Sequence, residues 1–274
     1  MAVSPDHIIK GEAIQEQGQA YTVLASGERV PVRDGNGVFI SGGLSGIVEL
    51  LPDGTILKSP FFDEDEEQHR LDIAFEATVY EKLGPHDRLV KFLGHSDKGL
   101  VLEYMENGCL RDYLTKHHRN TPMSQRLKWA SQAAEGLQLL HANHIIHCDV
   151  KPRNYLLDNN LNLKIIDFSG SVTPGSKPRS CEGTRYYLPR DFRSPATADR
   201  DIFALGSTIY EIIIGSSPYQ EIPSNEIPKL YEKRMFPDVS NIPCGDIIHR
   251  CWNCEVESVE EVYMSLKACS IAAS

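Results

Sequence analysis

The stretch His147-Cys148-Asp149-Val150-Lys151-Pro152-Arg153-Asn154 puts a carboxylate, an ammonium and a carboxamide close together, and Asp167-Phe168-Ser169 opens a second such loop. A carboxylate such as Asp149 can orient a hydroxyl and accept its proton. Lys151 can neutralise charge that builds on a phosphate in transit, and Asn154 and Asp167 offer oxygen ligands of the kind magnesium takes. Together these groups form a kit for phosphoryl transfer. The run Leu161-Asn162-Leu163-Lys164-Ile165-Ile166 reads as a strand between the two loops. It would hold Asp149 and Asp167 on adjacent loops facing one cleft.

The elements that must carry these loops follow from patterning. Residues 1–35 are polar and Gln/Gly-rich and read as an irregular leader or an extra strand pair. Val38-Phe39-Ile40 leads into Ser41-Gly42-Gly43-Leu44-Ser45-Gly46-Ile47-Val48, then a Pro52-Asp53-Gly54 turn and Thr55-Ile56-Leu57-Lys58, the signature of hairpin strands around Gly-rich turns. Asp63-Glu64-Asp65-Glu66-Glu67 precedes a helical pattern through Leu71, Phe75, Val79 and Leu83, and Gly84-Pro85 stops it. Acidic residues there offset the helix macrodipole. Leu89–Leu93 and Leu100–Tyr104 read as further strands. Ser124 is the expected N-cap of a long helix through Leu127, Ala130, Ala134, Leu137 and His141. Another helix contains Asp201–Gly206. The reading is α+β, with a sheet-rich part before a helical one.

These motifs, in this order, resemble the eukaryotic protein kinase family, from Val38 to Lys267. The family's catalytic loop reads His-Arg-Asp-Leu-Lys-Pro-x-Asn, and its Asp-Phe-Gly is Asp-Phe-Ser here. Within that group the chain is most similar to small, divergent fungal protein kinase-like proteins. The resemblance implies a two-lobed protein-kinase-like fold with an antiparallel-sheet N-lobe over residues 36–103 and a hinge with a helical C-lobe over 104–274. It implies ATP and Mg2+ as cofactors. Gly43 and Gly46 match the second and third glycines of the phosphate-covering turn, with Val48 over adenine. Lys58 matches the strand lysine that grips the phosphates, and Glu76 its helix partner; Glu81 falls too near the helix end. Leu102 matches the gatekeeper, Glu103 and Met105 would offer backbone groups to adenine, and Cys109 would lie at the ribose rim. Cys109 there reads either as a reactive thiol of lowered pKa or as an inert one. Asp149 and Lys151 would be catalytic, Asn154 and Asp167 would hold metal, and His147 would pack the loop. Lys151 with Pro152, and Thr184 after Gly183, match the Ser/Thr branch. Asp201 and Gly206 match the helix motif that braces the catalytic loop.

The departures from the family pattern carry expectations too. Ser41 replaces the first glycine of the turn. Ile56 replaces the usual alanine and would crowd the adenine roof. Cys148 replaces the arginine that pairs with a loop phosphate, which predicts activity with little dependence on loop phosphorylation at Ser171, Thr173, Ser176 or Ser180. Asp191 falls near the glutamate that ends the loop. No arginine follows Cys251-Trp252 to pair with it, so that buried ion pair is expected to be missing or replaced.

Bulk composition bounds the alternatives. The net charge of −10 argues against a nucleic-acid binder and leans toward basic peptide segments. The N-terminus lacks a signal-peptide pattern, Ala2 excludes myristoylation, and no apolar run spans a membrane. Seven scattered cysteines fit a reducing compartment, hence a cytoplasmic or nuclear protein, and Cys251-Trp252-Asn253-Cys254 lacks the second pair a zinc site needs. His117-His118 reads as a surface loop. The function read from all this is transfer of the ATP γ-phosphate to Ser/Thr hydroxyls of protein substrates. The rivals are a nucleotide-binding pseudokinase acting as a scaffold and a small-molecule phosphotransferase. Oligomeric state is not encoded in any feature found.

Overall fold

The computed structural model describes residues 13–16, 19–23, 29–32, 37–43, 45–176, 182–191 and 194–272. The chain divides into two compact units, one of residues 1–86 with 90–104, the other of 87–89 with 105–274.

In the first unit, β1 (Ala13–Glu16), β2 (Gln19–Val23) and β3 (Arg29–Val32) form a three-stranded antiparallel sheet. The polar composition that pointed to an irregular leader or a strand pair concealed the third strand. A five-stranded antiparallel sheet follows, from β4 (Val38–Gly42), β5 (Ile47–Leu50), β6 (Thr55–Ser59), β7 (Phe92–Ser96) and β8 (Gly99–Glu103), in the order β4-β5-β6-β8-β7. Cross-strand register places Val48 opposite Lys58 and Leu50 opposite Ile56. It also places Lys58 opposite Leu100 and Ile56 opposite Leu102. Directly paired residues share a face, so Val48, Ile56, Lys58 and Leu102 stand on one side of the sheet.

Helix α1 (Glu66–Leu83) lies between β6 and β7 in the chain. Ile73, Glu76, Ala77 and Tyr80 are buried at helical spacing. A glutamate in an apolar stripe is costly unless a cation meets it. Acidic residues fill the first turn, and Gly84 ends the helix at φ 66°.

The second unit holds α2 (Leu110–His117), α3 (Met123–Ala142), the short hairpin β9 (Tyr155–Leu157) and β10 (Leu163–Ile165), then α4 (Ala198–Ile214), α5 (Ile227–Glu232), α6 (Gly245–Trp252) and α7 (Val259–Ala272). Helix α3 begins before Ser124, with Pro122 as its N-cap residue. The expected strand from Leu161 shrinks to Leu163–Ile165, because Leu161 takes φ 55° and its carbonyl accepts the Trp129 indole N–H at 2.7 Å.

Nearly every residue of α4 is buried, as expected of a helix that runs through a core. Gly206 lets α6 approach, since a Cβ there would stand 2.7 Å from the Cys251 Cβ. Beside them Phe236 stacks on Trp252, Tyr231 tilts against Phe236, and Phe203 meets Tyr231 edge to face. His118 is no surface loop residue: its ring meets the Ile213 carbonyl at 3.2 Å and covers Gly215. Among the described residues no helix is long and apolar enough to cross a membrane.

Candidate active site

In the first unit, Lys58 Nζ meets Glu76 Oε2 at 2.7 Å, and both residues are buried. Strand β6 supplies the lysine and α1 the glutamate, so the pair fixes the helix against the sheet. Glu81 lies exposed near the helix end. In the Gly-rich turn, the Gly43 amide donates to the Gly46 carbonyl at 2.9 Å. A Cβ on Gly46 would collide with the Ser59 carbonyl of β6, whereas a Cβ on Gly43 would meet nothing. Gly46 is therefore needed for close packing of the hairpin, and Gly43 is the glycine with an open approach. Glu103 Oε1 accepts the Lys91 amide at 2.7 Å.

The second unit carries the catalytic-loop residues. Asp201, fully buried on α4, accepts the His147 amide at 2.7 Å through Oδ2 and the Cys148 amide at 2.9 Å through Oδ1. His141 Nε2 lies 2.9 Å from the same Oδ2. A buried carboxylate with three donors is satisfied and rigid. His147 extends the brace. Its Nδ1 accepts the Asp149 amide at 3.2 Å, so Nε2 carries the proton and donates to the Ile166 carbonyl at 3.0 Å. One imidazole thus spans the loop before Asp149 and the strand end before Asp167. Ile146 and Val172 exchange backbone bonds of 2.9 and 2.8 Å, tying the two loops again.

On this frame, Asp149 Oδ2 is held by Lys151 Nζ at 2.7 Å and by Asn154 Nδ2 at 3.0 Å. Its other oxygen, Oδ1, is buried and has no hydrogen-bond partner among the described residues. An unsatisfied buried acceptor is costly. Burial pushes the Asp149 carboxyl above the ordinary carboxylate range, Lys151 opposes the shift, and the nearby Asp167 adds to it. Asn154 also donates to the Asp149 carbonyl at 2.8 Å. Both bonds use its Nδ2, and among the described residues none reaches its Oδ1. Asp167 takes φ 69°, and Ser169 Oγ donates to its Oδ1 at 3.0 Å. The Asn154 carbonyl oxygen and the Asp167 carboxylate are hard donors of the kind magnesium takes, so the residues present fit that ion.

Met105 is buried, and its carbonyl accepts the Gly108 amide at 3.0 Å, closing a turn in which Gly108 takes φ 63°. The reactive-thiol option for Cys109 is overturned: burial pushes the thiol up rather than down, outweighing its place at the start of α2. Thr184 opens a single helical turn, and no bond joins it to Asp149 or Lys151 among the described residues. Ser171 is fully buried and bonds the His147 carbonyl at 3.3 Å, so it is not an accessible modification site. Ser180 lies outside the described residues. Each described cysteine is a free thiol. Among the described residues no cluster of three or more His, Cys, Asp or Glu could hold a metal.

A family model described as the protein kinase domain matches residues 56–260. The chain belongs to the protein kinase family. Its relatives include the RGS domain-containing serine/threonine-protein kinase A of Dictyostelium discoideum, 32% identical over 61% of this chain and 16% of that protein. An Aurora kinase of Eremothecium gossypii is 32% identical over 68% of this chain and 52% of its own length. The mouse cytoplasmic tyrosine-protein kinase BMX is 26% identical over 75% and 32%. This kinase chain thus spans about half or less of each relative.

Two features of this protein kinase escaped the sequence reading. The first is the cluster of Glu182, Arg190 and Arg200. Asp191 is exposed; the buried pair at the loop end is Glu182 with Arg190 at 2.7 Å and with Arg200 at 2.8 Å. The expected ion pair is therefore replaced by one of different make-up. The second is Glu211, which interrupts the apolar run 209–214. It is buried and bonded by Tyr186 and Arg111. A charge inside an otherwise apolar stretch was the signal for Glu211, whereas Arg200 lies among the charged residues Asp199 and Asp201 and gave none.

Proposed function

We propose that the chain transfers the γ-phosphate of ATP to Ser or Thr hydroxyls of protein substrates. The observation that carries this reading is the buried, unpartnered Oδ1 of Asp149 beside an Oδ2 already held by Lys151 and Asn154. An acceptor so placed is completed by a hydroxyl proton. The substrate oxygen, oriented by that bond, attacks the γ-phosphorus. The bond from the γ-phosphorus to the bridging oxygen breaks, and ADP leaves with the electron pair. The hydroxyl proton passes to Asp149.

Lys151 lies within reach of both the base and the charge that develops on the transferring group. Asn154 and Asp167 would hold magnesium, which when bound neutralises phosphate charge. Gly43, Gly46, Val48, Glu103, Met105 and Cys109 are the further residues assigned to the nucleotide by family pattern, and Lys58 with Glu76 the pair assigned to its phosphates. The Ser/Thr preference is supported by Lys151 with Pro152 and by Gly183-Thr184. The relatives themselves include enzymes named for serine/threonine and for tyrosine.

The test is transfer from labelled ATP to a mixed protein acceptor, followed by acid hydrolysis and separation of the phosphoamino acids. Label on phosphoserine and phosphothreonine is the expected outcome. Label on phosphotyrosine alone would overturn the preference.

A further inference from the structure

Glu182 precedes the Gly183-Thr184 turn and is buried. A buried carboxylate persists only when cations and donors compensate it. Here two guanidinium groups do so. Arg200, in the first turn of α4, approaches both oxygens, Nε to Oε1 at 2.8 Å and Nη2 to Oε2 at 3.3 Å. Arg190, from the far end of the same segment, donates from Nη2 to Oε2 at 2.7 Å. Its other nitrogen holds the Leu188 carbonyl at 2.9 Å, and its plane covers the Tyr187 ring at 4.4 Å. One carboxylate therefore draws together a helix, the start of the segment and its end.

The neighbourhood of this cluster gives it meaning. The charges that act on the buried Cys148 thiol are those of Asp201, Arg200, Glu182 and Arg190. Cys148 occupies the position where the family pattern has an arginine that meets a loop phosphate. Arg190 and Arg200 converge on Glu182, so the anion between two guanidinium groups is a glutamate written into the sequence. The rest of the segment is also tied down. Arg185 bonds the Tyr219 and Ile222 carbonyls at 3.1 and 2.6 Å and Ser224 Oγ at 2.8 Å.

We propose that Glu182 is a built-in anion that, through Arg190 and Arg200, sets segment 182–190 for the protein acceptor, so that transfer needs no phosphate on the loop. Glu182 is a positioning residue in this account. The proposal rests on the kinase reading above for its effect on turnover, but the order of the segment can be measured without turnover.

The experiment compares wild type, Glu182→Gln, Glu182→Asp and Arg190→Gln, with amide hydrogen exchange over 182–190 and steady-state kinetics after phosphatase treatment. The glutamine keeps the shape and removes the charge. It should raise exchange across the segment at least tenfold. It should also lower kcat/KM by tenfold or more through the KM of the protein acceptor, with the KM for ATP unchanged. Glu182→Asp should recover most of both losses. Arg190→Gln, which leaves the Arg200 pair in place, should show the same pattern more weakly and serves if Glu182→Gln fails to fold. Equal exchange and kinetics in Glu182→Gln and wild type would overturn the proposal. So would loss of wild-type activity on phosphatase treatment. If wild type transfers no phosphate at all, the kinase reading fails, and exchange alone then decides whether Glu182 orders the segment.

Discussion

Asp149 carries the chemistry in this account, and its two oxygens have different surroundings. Oδ2 is committed to Lys151 and Asn154, and Oδ1 has no hydrogen-bond partner among the described residues. Asp149→Asn should lower turnover by about 10²–10⁴-fold with the melting temperature little changed, which a rate assay beside a thermal melt would check. The pH profile follows from the direction of the shift. The base must be ionised, and burial raises its pKa, so kcat/KM should fall on acidification at a pH above the ordinary aspartate value of 3.8. Lys151 pulls that pKa down. In Lys151→Met the remaining activity should therefore lose its acid limb at a still higher pH; a limb displaced downward would contradict the assignment.

At the same scale, Ser169 stands where the family has glycine and bonds Asp167 Oδ1. The substitution could be seen in the sequence, but the hydroxyl's bond could not, because it depends on the local backbone turn. The reactive option for Cys109 failed for a related reason. Helix-start position is visible in a sequence, whereas the burial that raises the thiol is not.

At the scale of elements, the pair Lys58–Glu76 joins β6 to α1, and Asp201 joins α4 to the catalytic loop. Glu76→Ala leaves a buried ammonium without this carboxylate and should cost roughly 3–5 kcal/mol, as breaking a buried ion pair does; urea unfolding would measure it. Gly206→Val forces a side chain against Cys251 and should cost about 1–3 kcal/mol, as overpacking does. The motif spacings made these residues legible, because each lies at a fixed distance along the chain from a recognisable neighbour. The residue patterns also located α1 and four strands of the main sheet, but the strand expected at Leu89–Leu93 forms at Phe92–Ser96 and shares only Phe92 and Leu93 with that reading. Other features were hidden where the deciding partner is remote in sequence. Glu182 and Arg200 are separated by the loop end and the start of α4, and neither residue's own neighbours betray the pairing. The third strand before β4 was hidden by a polar composition that gives no two-residue alternation.

At the scale of the whole chain, the kinase domain match covers residues 56–260. The magnesium site proposed at Asn154 and Asp167 predicts a metal requirement. A chelator should stop transfer and added Mg2+ should restore it, while Asp167→Asn should need far more Mg2+ for the same rate.

The most direct test is incorporation of label from γ-labelled ATP with Mg2+ into a basic protein acceptor, run side by side for wild type, Asp149→Asn and Asp167→Asn. The account predicts label on Ser and Thr in wild type and almost none in either variant. Equal label in wild type and Asp149→Asn, or none in wild type while ATP still binds, would contradict it.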